Sequence, residues 1–343
     1  MVHLIAKMTL GFMCLMMLVM TGCSVEGDML WVHHKGSKMP VWVRGQVDSG
    51  TFLLHIHGGP GFNAFENTGY PAYQKLEKQI AVVYWDQRHS GSSRGTVDDG
   101  TLNLEQFVED LDIVIDLLKK QYKPKRLILL GHSWGGTLGT AYLIQKGSAK
   151  VNGWIELTGG HNISGAMENS RKWLTDRAKE NIKAGRSIAF WQEALDWMKK
   201  NPKTTGKLFK DYAEWIFRAG GYTYNPAHNP DTVEGWDVDA TPAGPRDMWG
   251  ELFNSLYIST GGLDATGINL VPKMGKIKLP TLIMWGRHDG IIPVSHAQEA
   301  YDAIGTPKSK KRLVIFEKSG HTVSTEEPER FYNTVMAFIK SIP

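Results

Sequence analysis

Six apolar runs, each closed by glycine or polar residues, constrain the fold of this chain more than any other feature of its sequence. Apolar runs without polar alternation are typical of parallel strands that are buried on both faces of a sheet. Helical patterns lie between several of them, and this alternation predicts an α/β fold with a mostly parallel, doubly wound sheet. Ligands of such sheets bind at the carboxyl ends of the strands. The runs are residues 51–59, 81–87, 126–133, 151–160, 280–289 and 312–320.

Further patterns complete this predicted core. Residues 103–122 place apolar side chains at spacings of three and four, which predicts an amphipathic helix, and residues 331–338 repeat that spacing near the C-terminus. The alternating stretches 29–36 and 39–46 flank a Gly-Ser turn signal. They predict an antiparallel hairpin before the first buried strand.

The alternation fails from about residue 161 to residue 275, where aromatic residues and helical patterns are frequent but no convincing buried strand occurs. We predict a helical cap inserted between two core strands. A lid that shapes the substrate pocket is favoured over a merely stabilising insertion, because insertions at the ligand end of a sheet commonly form the site. The predicted organisation is a leader at 1–22, the first part of the core at 23–160, the cap at 161–275 and the second part of the core at 276–343.

The N-terminus has the pattern of an export signal. A short segment whose only charge is Lys7 precedes an apolar run from Met8 to Met20, which is too short to span a bilayer and fits the core of a signal peptide. The run ends in the sequence MTGC, which resembles the lipobox of bacterial lipoproteins. We therefore expect lipidation of Cys23 and attachment to a membrane surface in a bacterial cell envelope. An ordinary cleaved signal peptide, with a soluble periplasmic or secreted product, is the alternative.

Charge and cysteine content exclude several classes of function. The formal net charge of +4 comes from 39 basic and 35 acidic residues that are interspersed, so the chain lacks the basic stripe of a nucleic-acid-binding protein. The two cysteines are Cys14 and Cys23, which leave no disulfide framework and no cysteine-based metal site. We predict no nucleic-acid partner and no metal, and the oligomeric state stays open.

The pattern G-x-S-x-G, which is typical of a nucleophilic serine, occurs twice. Ser133 follows the apolar residues 126–130 and precedes a helical stretch at 137–146. A strand that turns sharply into a helix lifts a serine hydroxyl above the sheet edge. Ser93 lies past a strand end and is followed by loop sequence. We therefore predict Ser133 as the nucleophile and interpret the match at Ser93 as chance or as backbone packing near the site.

A serine nucleophile needs a base, and the base needs a carboxylate that holds its tautomer. Asp289 and His321 close the last two predicted strands and follow the serine in the order Ser, Asp, His. We therefore predict a catalytic triad of Ser133, Asp289 and His321. His132 and His288, each next to one of these residues, are interpreted as structural neighbours.

An acyl-transfer intermediate also needs backbone N–H donors for its oxyanion. The amide of Trp134, directly after the serine, is predicted to be one of them. The second is predicted in the loop 57–61, where glycines let the backbone approach the substrate. The amide of Gly59 is favoured, and Gly58 stays open as the alternative.

Five motifs occur in a fixed order along the chain: HGGPG (57–61), WDQRHSGSS (85–93), GHSWGG (131–136), GRHD (286–289) and SGH (319–321). Together they resemble the prolyl aminopeptidase (proline iminopeptidase) branch of the α/β-hydrolase superfamily, over roughly residues 40–160 and 276–343. The resemblance implies an α/β-hydrolase fold with an inserted cap, the triad named above and no cofactor. It also implies that an acyl-enzyme releases N-terminal proline, or another small residue, from a peptide.

Two departures from that branch bear on the substrate. His89 stands where the branch usually has glycine, and Gly290 stands where some members carry an acidic residue that binds the free amine of the substrate. Glu251 and Glu214, in the predicted cap, are the candidate carboxylates for that amine, and Asp86 is interpreted as a structural hydrogen-bonding residue. A carboxylesterase or amidase acting on small uncharged acyl substrates is the alternative function. A non-catalytic binding protein on the same fold is the alternative from another class.

Overall fold

The computed structural model describes residues 27–95, 98–203, 206–232 and 267–343. The predicted leader with Cys23, and Glu251 in the predicted cap, lie outside these described residues.

Within the described residues, nine strands form one sheet in the order β1-β2-β4-β3-β6-β7-β8-β9, with β5 paired to β2. All neighbours from β4 through β3 to β9 are parallel, and β2 is antiparallel to β1, β4 and β5. The mostly parallel sheet predicted from the apolar runs is thus confirmed. The strands are β1 (Asp28–His34), β2 (Ser37–Gly45), β3 (Thr51–Ile56), β4 (Ala81–Trp85), β5 (Arg94–Gly95), β6 (Arg126–His132), β7 (Gly153–Leu157), β8 (Thr281–Gly286) and β9 (Lys311–Phe316).

Helices cover both faces of the sheet, as predicted for a doubly wound fold. Apolar side chains of α2, α3 and α7 pack on one face, and those of α1 and α9 pack on the other. The helices are α1 (Pro71–Glu77), α2 (Leu104–Tyr122), α3 (Trp134–Lys146), α4 (Ile163–Lys183), α5 (Ile188–Lys200), α6 (Gly206–Arg218), α7 (Ser295–Ala303), α8 (Val323–Glu326) and α9 (Pro328–Ser341). In the described part of the chain, no helix combines the length and the apolar character needed to cross a bilayer.

The central strand β3 shows why the apolar runs form strands. Its side chains alternate between the two faces: Leu54 and Ile56 belong to one apolar cluster, and Leu53 belongs to the other. All three are fully buried. Burial of one such side chain contributes roughly 1.5–3 kcal/mol to the stability of the fold. A strand with apolar side chains on both faces gains this stabilisation on both only where both faces of the sheet are covered.

The edge of the sheet is built from the predicted hairpin. β1 pairs with β2 over the whole strand, from Asp28 opposite Val43 to His34 opposite Ser37. The two-residue strand β5 adds to the same edge, an addition that the loop-like sequence around it did not predict.

Three helices, α4, α5 and α6, follow β7 before the chain returns to the sheet at β8. They share an apolar cluster of their own, which includes Leu174, Trp191 and Ile216. The limits predicted for the cap, residues 161 and 275, stay a prediction, because residues 233–266 lie outside the described part.

Candidate active site

Ser133 lies at the sharp turn between β6 and α3. Its backbone has φ 55° and ψ −118°, a conformation that is rare for a residue with a side chain and typical of a nucleophile elbow. The turn requires the flanking glycines. A Cβ on Gly131 would stand 2.3 Å from the carbonyl oxygen of Gly135, and a Cβ on Gly135 would stand 1.9 Å from that of Ile56.

Asp289 and His321 lie at the carboxyl ends of the neighbouring strands β8 and β9, and both are buried. His321 Nδ1 is 2.8 Å from Asp289 Oδ2. The second carboxylate oxygen, Oδ1, accepts hydrogen bonds from the amides of Ile291 and Ile292, each at 2.9 Å. The carboxylate is therefore fixed at both oxygens and holds one nitrogen of the His321 ring, as the base of a triad requires.

His132, the residue before the predicted nucleophile, connects the elbow to the predicted base. Its Nε2 donates to the carbonyl oxygen of His321 at 3.0 Å, and the two rings lie 5.0 Å apart. Burial lowers the pKa of His132 to about 3, so this ring is neutral. His132 therefore positions the His321 backbone, in agreement with its interpretation as a structural neighbour.

The loop that follows α6 is hydrogen-bonded to the loops that carry Asp289 and His321, the predicted triad acid and base. The carbonyl oxygen of Gly221 accepts from the amide of Gly290 at 2.7 Å, and that of Tyr222 accepts from the amide of His321 at 2.7 Å. A Cβ on Gly290 would stand 2.7 Å from the Gly221 Cα and 2.9 Å from the Trp173 ring. This close packing explains why the position after the predicted triad Asp carries no side chain here.

The predicted oxyanion loop passes next to the elbow. A Cβ on Gly58 would stand 3.1 Å from the Ser133 Cβ, which places the backbone of Gly58 against the predicted nucleophile. Gly59 has φ 112°, a conformation that favours glycine. The amides of Gly58 and Gly59 both stay candidates for the second donor, beside the amide of Trp134 at the start of α3.

Asp86 has a structural role, as its sequence context indicated. Its carboxylate accepts from the amides of Ala64 and Ser92, each at 2.7 Å. Burial raises the pKa of Asp86 to about 6, although these hydrogen bonds oppose the shift. Ser93, the second G-x-S-x-G match, is buried and donates its hydroxyl to the carbonyl oxygen of Asp86 at 2.9 Å. Its hydroxyl thus serves loop packing.

Arg88 and His89 belong to the same loop, and Arg88 fixes the loop to the core. Arg88 is fully buried and bonds both carboxylate oxygens of Asp110, on α2, at 2.5 and 2.8 Å. His89 has φ 55°, in the left-handed region that favours glycine. The glycine that the resemblance led us to expect at this position would adopt this conformation without strain.

A cavity of about 190 Å³ lies beside the elbow and the oxyanion loop. It is smaller than the pockets of roughly 300–1,000 Å³ that hold drug-sized ligands, so it suits a small group. Among the described residues that line it, Glu66 is the only acidic one, and none is Lys or Arg. Desolvation raises the pKa of Glu66, while hydrogen bonds from Tyr70 and Asn63 oppose that shift. The cavity is lined by His55, His57, Gly58, Phe62, Asn63, Glu66, Asn67, Tyr70, Tyr73, His132, Tyr222, Thr223, Thr322, Ser324 and Thr325.

Sequence reasoning did not select Glu66. Its only sequence signal is its place shortly after the HGGPG loop, at the 3₁₀ turn Phe65–Gly69. Of the two carboxylates that were predicted to bind an amine, Glu214 lies half-buried on α6 and is absent from the lining of this cavity. Glu251 lies outside the described residues.

A larger cavity, of about 640 Å³, lies between α4, α5 and the loop after α6. Arg177, Arg186 and Glu180 are among its lining residues, and His288 lies on its wall, with its ring 4.3 Å from that of Tyr224. No member of the predicted triad is in the lining of either cavity. The smaller one is lined by His132, next to the predicted nucleophile, and by Gly58 of the predicted oxyanion loop, so we associate the chemistry with it.

The chain from β3 to the start of α9 matches a known family. Residues 51–328 match the family described as alpha/beta hydrolase fold, which is most of the chain. The chain belongs to the α/β-hydrolase fold family. The fold predicted from the apolar runs and from the five motifs is thereby confirmed.

Two curated relatives of this α/β-hydrolase are named as peptidases. The probable aminopeptidase YbaC of Bacillus subtilis (strain 168) is 27% identical over 312 residues, which cover 87% of this chain and 92% of the relative. A proline iminopeptidase of Heyndrickxia coagulans is 29% identical over 300 residues, which cover 85% of this chain and 92% of the relative. These relatives confirm the predicted resemblance to prolyl aminopeptidases.

Solved structures agree on the fold. A proline iminopeptidase of Mycobacterium smegmatis has a TM-score of 0.61 at 18% identity, with 91% of this chain and 98% of that chain covered. The esterase EaEST from Exiguobacterium antarcticum has a TM-score of 0.56 at 20% identity, with 92% of this chain and 100% of that chain covered. These likenesses show the α/β-hydrolase fold alone. The family and the peptidase relatives identify the protein as a hydrolase.

Proposed function

We propose that this hydrolase releases proline, or another small residue, from the N-terminus of short peptides through an acyl-enzyme. Ser133 Oγ attacks the first peptide carbonyl while His321 Nε2 takes the hydroxyl proton. Asp289 holds the other ring nitrogen of His321, and this hydrogen bond, at 2.8 Å, supports the assignment. His321 then protonates the leaving amine, and water hydrolyses the acyl-enzyme through the same groups.

Backbone donors complete the proposed mechanism. The amide of Trp134, at the first turn of α3, and the amide of Gly59 or Gly58 stabilise the tetrahedral oxyanion. The close approach of the Gly58 backbone to the Ser133 side chain supports this part of the proposal. Loss of one such donor typically costs about 10²- to 10³-fold in kcat.

The observation that carries the aminopeptidase proposal is the charge of the small cavity. Its lining contains one carboxylate, that of Glu66, and no Lys or Arg among the described residues. Glu66 is exposed as a residue, and its carboxylate supplies a negative charge with which an ammonium group can pair. The free amine of a peptide N-terminus is such a partner. Glu214 and Glu251 remain the candidates from the predicted cap.

A panel of substrates tests this proposal. We expect prolyl and alanyl arylamides with a free amine to be cleaved with a higher kcat/KM than the same amides with a blocked amine, and than short acyl esters. Preference for N-blocked or uncharged substrates would reject the aminopeptidase. It would favour the carboxylesterase or amidase, whose chemistry at the triad is the same.

Glu66→Gln isolates the role of the cavity carboxylate. We expect kcat/KM on free-amine substrates to fall by roughly 10- to 100-fold, the effect of one charge-assisted hydrogen bond, with little change on N-blocked amides. Glu193→Gln, at an exposed carboxylate on α5, is the matched control. The same loss in Glu214→Gln or Glu251→Gln, with Glu66→Gln unaffected, would move the amine site to the predicted cap.

We also propose that the protein is exported and carries lipid at Cys23, which would tether it to a membrane surface. The apolar run at Met8–Met20 and the MTGC sequence that ends it support this proposal. Mass spectrometry of the mature N-terminus is the test. A lipid-modified Cys23 is expected, and an unmodified Cys23 or an intact Met1 would contradict it.

A further inference from the structure

A second cluster of polar side chains lies outside the proposed triad, where the chain leaves β7. His161 follows that strand, and His296 and Glu299 lie on α7. Glu156 lies within β7. The side chains of His161, His296 and Glu156 are buried, and that of Glu299 is 34% exposed. The proposed reaction uses none of these four residues.

Three of these side chains present the atoms that bind a metal ion. His161 Nε2 is 3.1 Å and His296 Nδ1 is 2.9 Å from Glu299 Oε2, and the three atoms lie within 4.8 Å of one another. In an octahedral complex with bonds of about 2.1 Å, neighbouring ligand atoms are about 3 Å apart. The two nitrogen–oxygen separations therefore match the spacing of adjacent metal ligands. Two histidines and one carboxylate on one face of an ion are a recurrent site for divalent transition metals.

The surroundings hold these ligands in place. Glu156 Oε1 lies 2.6 Å from His161 Nδ1, which is the carboxylate–histidine arrangement that orients a metal-binding imidazole. The side-chain amide of Asn162 donates to Glu299 Oε1 at 3.0 Å. Asn169 lies 3.0 Å from His296 Nε2 and accepts its proton in a hydrogen bond once its amide is turned.

The negative charges of the cluster also favour a bound cation. Glu156 Oε2 is buried and has no hydrogen-bond partner among the described residues. Two carboxylates, those of Glu156 and Glu299, face His161, one at each ring nitrogen. A divalent ion carries the charge that balances both.

We propose that His161 Nε2, His296 Nδ1 and Glu299 bind a divalent transition-metal ion, with water in the remaining positions. Backbone contacts next to these ligands show which segments of the chain the ion would hold together. The carbonyl oxygen of His161 accepts from the amide of Leu270 at 2.8 Å, and Asn162 is bridged to Asn269. The segment that leaves β7 and the segment that leads back to β8 therefore meet at the site. The bound ion ties both segments to α7.

Titration with cobalt tests the site independently of catalysis. Protein stripped with a chelator is titrated with Co²⁺, and the visible absorption of the bound ion is recorded. We expect one Co²⁺ per chain at high affinity, with a spectrum of nitrogen and oxygen ligation. Zn²⁺ is expected to compete for the same site and to raise the Tm, because an ion that binds only the folded state stabilises it.

Three variants make the test specific. Glu299→Gln and His296→Gln are each expected to weaken Co²⁺ binding at least about tenfold and to abolish the Tm rise. His33→Gln, at an exposed histidine on β1, is the control and should bind as wild type does. Wild-type protein that binds Co²⁺ no more tightly than Glu299→Gln would overturn the proposal. So would the absence of a ligated cobalt spectrum in wild type, whether or not the variants fold.

Discussion

The side-chain oxygen of Gln87 accepts a hydrogen bond from the indole N–H of Trp134 at 3.0 Å. The side-chain amide nitrogen of the same Gln87 donates to the carbonyl oxygen of His57 at 2.9 Å. One buried side chain thus joins the turn that carries the predicted nucleophile to the loop that carries the predicted oxyanion donors. The relative position of these two segments decides how well the oxyanion is stabilised.

Gln87→Leu removes this connection while keeping a side chain of similar size. It leaves the Trp134 N–H and the His57 carbonyl without their partner, which typically costs about 1–3 kcal/mol of unfolding free energy for each buried group. We expect a lower unfolding free energy in urea and a lower kcat on any cleaved substrate, with a smaller change in KM. Gln79→Leu, at an exposed glutamine after α1, is the control. Equal kcat in Gln87→Leu and wild type would show that the connection does not position the oxyanion donors.

Gly290→Ala tests the packing next to the predicted triad carboxylate. The added Cβ would stand 2.7 Å from the Gly221 Cα, so the loop after α6 has to move away from Asp289. We expect a loss of roughly 1–3 kcal/mol in unfolding free energy, as for overpacked sites, together with reduced kcat. Gly275→Ala, where no heavy atom lies within 4 Å of the added Cβ, should leave both nearly unchanged. A variant at position 290 as stable as this control would contradict the packing argument.

His57 gives the stability of the protein a definite pH dependence. Burial lowers the pKa of its imidazole from 6.5 to about 4, although its hydrogen bond to the Gly58 carbonyl opposes the shift. Its Nε2 accepts a hydrogen bond from the backbone N–H of Gln87 at 3.1 Å, which only the neutral ring can do. The unfolded chain therefore takes up a proton that the folded chain excludes. This contribution to stability is present above pH 6.5 and is lost as the pH falls toward about 4.

His57→Gln removes that titration. We expect the slope of unfolding free energy against pH to decrease, relative to wild type, by up to about 1.4 kcal/mol per pH unit within this window. Urea unfolding at a series of pH values measures the slope. His33→Gln, at an exposed histidine, should keep the wild-type slope. An unchanged slope in His57→Gln would mean that the folded protein binds a proton at this ring.

The sequence predicted those features that depend on local pattern. The apolar runs located the parallel strands, although they overestimated the strand ends: residues 151–160 contain β7 only at Gly153–Leu157. After Leu157 the backbone leaves the sheet, and Thr158 has φ 43°. Asp289 and His321 are hydrogen-bonded because consecutive parallel strands bring their carboxyl ends to one edge, the placement that the sequence predicted for them.

Features that depend on contacts between residues far apart in sequence were not predicted. Glu66 lines a cavity together with Thr322 and Ser324, which are distant from it in sequence. His161 and Glu299 are 138 positions apart, so no spacing rule could find them as a pair. The small number of cysteines predicted no metal, whereas the cluster at α7 consists of two histidines and a carboxylate.

The central claim is that Ser133 is the nucleophile, and labelling with a fluorophosphonate probe tests it most directly. Such probes form a covalent bond with a serine hydroxyl that a neighbouring base activates. We expect wild type and Ser93→Ala to be labelled and Ser133→Ala to be unlabelled, with all three proteins folded to the same extent by circular dichroism. Labelling that persists in Ser133→Ala and disappears in Ser93→Ala would contradict the account.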